Sequence, residues 1–211
     1  MTSFQAAPTH YLPNKMGRII LRALEELIGQ IGVNAILNQA KLSHLIENYP
    51  PNTLDRQFSF TNLSALQLAL EQIYGSRGGR GISLRSGRVC FKYGLREFGA
   101  EVDSNFIEFR LAPIDTKMDV GAQILADLFN QISDLQVSIA ASPEKLLWII
   151  ERCPICWGRH TDTCTCHLMV GMIQEGLYWV SGGKYFLVEE ISCAAKGDPL
   201  CTIAVDKKII E

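Results

Sequence analysis

Six of the seven cysteines lie at or beyond position 153: Cys153, Cys156, Cys164, Cys166, Cys193 and Cys201. Cys90 stands apart from them. Glu190 lies three residues before Cys193, and Cys201 lies eight residues after it. Thiolates and a carboxylate gathered this closely suit a metal site. Zinc is the expected ion, because it takes soft sulfur ligands and four of them close a tetrahedron. Glu190 ends a predicted strand, and Lys196-Gly197-Asp198-Pro199 is a turn that returns the chain to Cys201. Three ligands can therefore converge, leaving a fourth to arrive from elsewhere. Cys166 is the best candidate, since it begins a predicted helix whose N-terminus favours a thiolate. Cys164 and His167 are its rivals.

Cys153-Pro154-Ile155-Cys156 reads as a separate CxxC pair. It can be half of a metal knuckle, a redox pair or two structural thiols. Redox chemistry asks for a thiol at a helix N-terminus, and no helix is predicted to follow at once. A second metal or thiol cluster would combine Cys153, Cys156 and Cys164 with His160 or His167. Trp148, Trp157, Tyr178, Trp179, Tyr185 and Phe186 surround the metal segment in sequence. They can line a pocket for a flat apolar ligand, although core is the commoner place for any one of them.

These residues need elements to hold them. Residues 1–14 read as a loose tail. Met16 to Ile31 has apolar residues at helical spacing, and a second helix is expected from Val33 to Leu42 after Gly32. Asn48 to Asp55 contains Pro50-Pro51 and must be a loop. Asn62 to Tyr74 is helical. The glycine-rich segment Gly75 to Gly81 then reads as a connection into a helix from Ile82 to Phe98. A phosphate cradle there is disfavoured, because no strand precedes it and no Gly-Lys-Ser/Thr ending appears. Phe106 to Pro113 is ambiguous, and Met118 to Leu135 is a long helix. Beyond it, Leu146 to Arg152 is a strand candidate, Cys166 to Val180 a helix, Ser181-Gly182-Gly183 a turn, and Tyr185 to Ile191 and Cys201 to Val205 are strands. The predicted fold class is α/β of the α+β kind, a small antiparallel sheet flanked by helices. One domain spans residues 15–211, with a helical half at 15–140 and a metal-containing half at 141–211.

Composition is that of a globular domain, with 47% hydrophobic and 20% charged residues. The net charge is −2 with Lys and Arg dispersed, so a nucleic-acid surface is not expected. No apolar run reaches the roughly 18–20 residues of a membrane span, so no transmembrane segment is expected, and peripheral membrane association stays open. The polar start lacks the apolar core of a secretory signal, and a cytoplasmic location is expected. Thiols stay reduced there, and an odd cysteine count also argues against complete pairing.

The segment from Cys153 to Val205 resembles the 4-vinyl-reductase-like, hydrocarbon-binding domain family. It also resembles the sensor domains of phenol- and xylene-responsive activators. The residues that carry the resemblance are Cys166-His167-Leu168-Met169-Val170-Gly171, Gly176, Val188-Glu189-Glu190-Ile191-Ser192-Cys193 and Gly197-Asp198-Pro199-Leu200-Cys201. Arg80-Gly81 and Gly87-Arg88 match the helical half more loosely. The resemblance implies a TRAPP-subunit-like fold and usually a homodimer enclosing an apolar pocket. It also implies structural zinc on Cys166, Glu190, Cys193 and Cys201, with the Cys-to-Glu interval one residue longer here. The implied function is non-enzymatic binding of a hydrophobic small molecule, with a tetrapyrrole or chlorophyll precursor as ligand. Alternatives are a vinyl reductase or accessory factor of chlorophyll biosynthesis, and an assembly protein of a photosynthetic complex. The reductase reading lacks any dinucleotide or flavin motif to supply electrons.

Overall fold

The computed structural model of the chain describes residues 9–99 and 112–210. Strand β1 (Tyr11–Pro13) leads directly into helix α1 (Asn14–Gln39). Strand β2 (Arg56–Ser59) likewise leads into helix α2 (Phe60–Phe98). β1 and β2 pair antiparallel, with Leu12 opposite Phe58, so the two long helices start from one small ribbon. Part of the expected N-terminal tail is therefore structured. The Ser59 hydroxyl caps α2 by accepting from the Asn62 N–H at 3.1 Å.

Both helices are kinked by a glycine in a left-handed conformation. In α1 it is Gly29 (φ 69°, ψ 166°), three residues before the expected break. In α2 it is Gly75 (φ 72°, ψ 166°). These angles suit glycine because a Cβ penalises positive φ. The rest of Gly75–Gly81 is helical and forms no loop. Gly79 packs on the backbone of Glu71, where a Cβ would lie 2.8 Å from the Glu71 Cα. The glycines thus let α2 turn sharply and pack closely upon itself.

Helix α3 (Ile114–Ile132) follows, then strands β3 (Val137–Ala141) and β4 (Lys145–Ile150), helix α4 (His167–Val180), and strands β5 (Tyr185–Ser192) and β6 (Cys201–Ile210). Most of the ambiguous segment Phe106 to Pro113 lies outside the described residues. The four strands form an antiparallel sheet in the order β3-β4-β6-β5. β3 was not expected, because Val137–Ala141 is short and mostly polar or small. Leu146, Trp148 and Ile150 of β4 and Cys201, Ile203 and Val205 of β6 alternate inward, as half-buried strands must. Trp148 meets Phe129 of α3 edge-on at 6.1 Å.

Helix α4 crosses α2 at two glycines. A Cβ on Gly87 would run into the Leu168 carbonyl, and one on Gly171 into the Leu84 carbonyl. This contact joins the helical half to the cysteine-bearing half.

Candidate metal centre and ligand cleft

Each ligand-type residue reaches the site through its element. In the β4–β6 pairing, Ile150 stands opposite Cys201. The loop leaving β4 therefore passes over the start of β6, and it carries Cys153 and Cys156. Cys166 is the N-cap residue of α4. Glu190 lies in β5, with Cys193 immediately beyond that strand. Gly197 (φ 97°) lets the β5–β6 connection turn. Asp198 Oδ2 accepts from the Cys193 N–H at 2.8 Å, and Cys201 Sγ accepts from the Ala194 N–H at 3.2 Å.

Cys166, Cys193 and Cys201 have no solvent exposure, and Cys153 and Cys156 are also buried. Sγ separations are 3.3 Å for Cys153–Cys166, 3.4 Å for Cys156–Cys201 and 3.8 Å for Cys166–Cys201. The seven cysteines are unbridged. Two quartets emerge among the described residues, each with ligand atoms within 4.8 Å of one another. One is Cys153, Cys156, Cys166 and Cys201; the other is Cys166, Glu190, Cys193 and Cys201. A tetrahedral ion with bonds to sulfur near 2.3 Å spaces its ligands roughly 3.8 Å apart. The Cys166–Cys201 separation matches that spacing, and the other two are somewhat shorter.

Glu190 accepts from the Cys166 N–H through Oε2 at 2.7 Å. Its Oε1 is buried with no partner among the described residues. Burial pushes the carboxyl up to about 8, aided by the neighbouring Cys193. Cys156 is pulled below the ordinary thiol value, first by its hydrogen bond with Cys153. Cys166 and Cys201 are pushed above it, again with Cys153 the leading influence.

The sequence separated the CxxC pair from the quartet, whereas the fold brings the two together. Cys164 is half-exposed and belongs to neither quartet. Burial and the nearby Glu190 charge raise its thiol. His167 is also outside both, and burial, then Arg80 and Arg159, lowers its imidazole to about 4. His160 is exposed. Arg159 was not anticipated: it is buried and pairs with Glu71 of α2.

The aromatic residues do not share one pocket. Trp148 is core, and Trp157 packs edge-on against His10 at 4.9 Å and Phe60 at 5.7 Å. Trp179 is largely exposed and lies 6.4 Å from Phe91. Tyr178, Tyr185 and Phe186 do converge, on an open cleft of about 420 Å³. Arg88 and Lys92 of α2 and Gln174 and Glu175 of α4 form its polar side. Tyr178 and Tyr185 rings are 5.2 Å apart. Arg88 donates to Gln174 Oε1 at 2.7 Å, and Lys92 pairs with Glu175 at 3.4 Å.

No family model matches the sequence. No curated protein matches it either. Solved structures do match in three dimensions. A mutant H-NOX protein from K. algicida, in the unliganded Fe(II) state, superposes with TM-score 0.61 at 13% identity, over 95% of this chain and 97% of its own. An H-NOX protein from S. oneidensis in the Fe(II)NO state gives 0.58 at 10% identity, over 92% and 98%. A structure from work on heme distortion in the H-NOX family gives 0.58 at 11%, over 95% and 97%.

These neighbours overturn the resemblance to 4-vinyl-reductase-like and TRAPP-type proteins, and with it the photosynthetic reading. The Glu-x-x-Cys and Gly-Asp-Pro-x-Cys motifs describe one strand-turn-strand corner, too small a part to specify a fold. They also overturn zinc as the cofactor, since the structures similar to this chain are described with heme and iron. Donor softness and tetrahedral spacing select a class of metals and not one element. By its architecture, over nearly its whole described length, this chain has the α+β fold of the H-NOX domains.

Proposed function

We propose that this chain is a non-enzymatic, sensor-type binding module whose ligand is a hydrophobic small molecule of the tetrapyrrole class. The observation that carries this reading is the fold match, which spans almost all of both chains and involves domains described with heme. The open cleft adds support of its own. Arg88 and Lys92 suit the carboxylates of such a ligand, and Tyr178, Tyr185 and Phe186 offer aromatic faces to a flat ring.

The residues fit an iron-bearing tetrapyrrole only in part. Heme iron takes an axial His, Cys, Met or Tyr. Among the described residues, the cleft is bordered by none of the four histidines, and the axial donors beside it are Tyr178 and Tyr185. The chain's own contribution would be to bind and orient the ring and to neutralise its acids. Titration of the purified chain with hemin and, separately, with metal-free protoporphyrin tests this. Saturable binding that quenches tryptophan fluorescence, weakened by Arg88→Gln, is the expected result. Absence of saturable binding for both probes would remove the reading.

A metal site is the second reading, favoured by the convergence of Cys166, Glu190, Cys193 and Cys201 within 4.8 Å. These residues would hold one thiophilic ion with four protein ligands. A closed coordination shell of that kind clamps structure and leaves no position for substrate. Elemental analysis of protein purified without chelators should find metal, and Cys193→Ser should lower its content. Metal-free protein with native stability would exclude this site.

A further inference from the structure

The two ligand quartets share one edge, Cys166 and Cys201, and differ in everything else. From this we infer that the cluster is a binuclear thiolate centre, two divalent thiophilic ions bridged by the Cys166 and Cys201 sulfurs. Cys153 and Cys156 complete the first tetrahedron, and Glu190 and Cys193 complete the second. The inference extends the single-ion reading of the second quartet.

Three observations support it. The ligand count closes: two tetrahedra sharing an edge need six ligands, and the union of the quartets has six. The shared edge has the right length, because Cys166 and Cys201 sulfurs are 3.8 Å apart, near the roughly 3.8 Å spacing of two ligands on one tetrahedral ion. The third observation is the Glu190 Oε1, a buried carboxylate oxygen without a partner among the described residues. An orphaned acceptor of this kind costs free energy unless a cation or donor meets it.

Charge argues the same way. Five thiolates and one carboxylate carry six negative charges. One divalent ion in either quartet leaves two ligand groups buried beside it and unused. Ionised, they repel the thiolates; protonated, they leave polar groups idle in the interior. Two divalent ions reduce the formal charge from six negative to two negative. Backbone donors offset part of the remainder, with the Ala194 N–H on Cys201 and the Cys166 N–H on Glu190. Ion binding displaces the thiol protons to solvent, so uptake releases acid.

The test is a titration of the reduced, full-length chain with Cd²⁺, followed by sulfur-to-metal absorbance and native mass spectrometry. Two Cd²⁺ per chain are expected. The double variant C153S/C156S should bind one, and the double variant E190Q/C193S should bind one. Circular dichroism checks that each variant is folded, and ¹¹³Cd spectra should show two resonances in the unaltered chain and one in each variant. Saturation of the unaltered chain at one Cd²⁺ would overturn the binuclear centre while sparing a single site. No tightly bound Cd²⁺ would overturn the single-ion reading as well. The stoichiometry of the unaltered chain decides the matter even where a variant fails to fold.

Discussion

At the scale of single residues, burial decides which side chains matter. Glu190 and Arg159 are ionisable groups with polar atoms held inside, and each leaves atoms unpartnered among the described residues. Arg159 pairs with Glu71, and their side chains are 5% and 28% exposed. Glu71→Gln would remove the counter-charge and leave the guanidinium buried. We expect a loss of about 2 kcal/mol, measured by urea unfolding, as for an unsatisfied buried ionic group. Trp157 gives a second prediction. It packs edge-on against His10 and Phe60 and pins the cysteine loop to the start of α2. Trp157→Ala should cost about 2 kcal/mol, less than a fully buried tryptophan, because its ring is only partly enclosed. Near-unchanged unfolding midpoints would refute either expectation. Neither contact was legible in the sequence, since both partners lie far away along the chain.

At the scale of elements, glycine sets the geometry. The periodicity of α1, α2 and α4 was legible because apolar residues recur every three or four positions. Their kinks were less so. A glycine run reads as a loop, yet only Gly75 leaves the helical conformation and its neighbours pack. Gly87 and Gly171 face backbone across the α2–α4 crossing. Gly171→Ala should therefore push the helices apart and cost about 1–3 kcal/mol, as overpacking does. Thermal unfolding would reveal it, and a stabilised variant would contradict the crossing. A pH effect belongs here as well. Tyr49, in the loop after α1, has its phenol pushed up to about 12 by burial, with Glu25 acting the same way. The unfolded phenol titrates near ~10. Its contribution is fully present below pH ~10 and is lost as pH rises toward about 12, because the unfolded chain ionises first. Tyr49→Phe should flatten that alkaline step in a pH series of unfolding midpoints.

At the scale of the whole molecule, the cysteine centre lies where the sheet, α4 and the β4–α4 loop meet. Trp157 and Arg159 connect that loop to α2, and the Gly87–Gly171 crossing connects α4 to α2. Metal occupancy should therefore stabilise both halves together. At a free-ion concentration of 100 times Kd, one site adds about 2.7 kcal/mol. A chelator should lower Tm in a single transition that follows both helix signal and tryptophan fluorescence. Two separated transitions would show that the halves are independent. Among the described residues no helix is long and apolar enough to cross a membrane.

The sequence alone determined the local features: the helical stripes and the Lys196–Pro199 turn. All of these depend on neighbours a few positions apart, where spacing dictates contact. The tertiary structure alone decided the rest. It paired β4 with β6, so that Ile150 meets Cys201 and the CxxC pair enters the same centre as the quartet. It also separated Trp148, in the core, and Trp157, packed against that core, from Tyr178 and Tyr185, at the cleft. The physical reason is the non-sequential strand order. Which distant strand pairs with which depends on the burial of the whole sheet, and no local pattern encodes that choice.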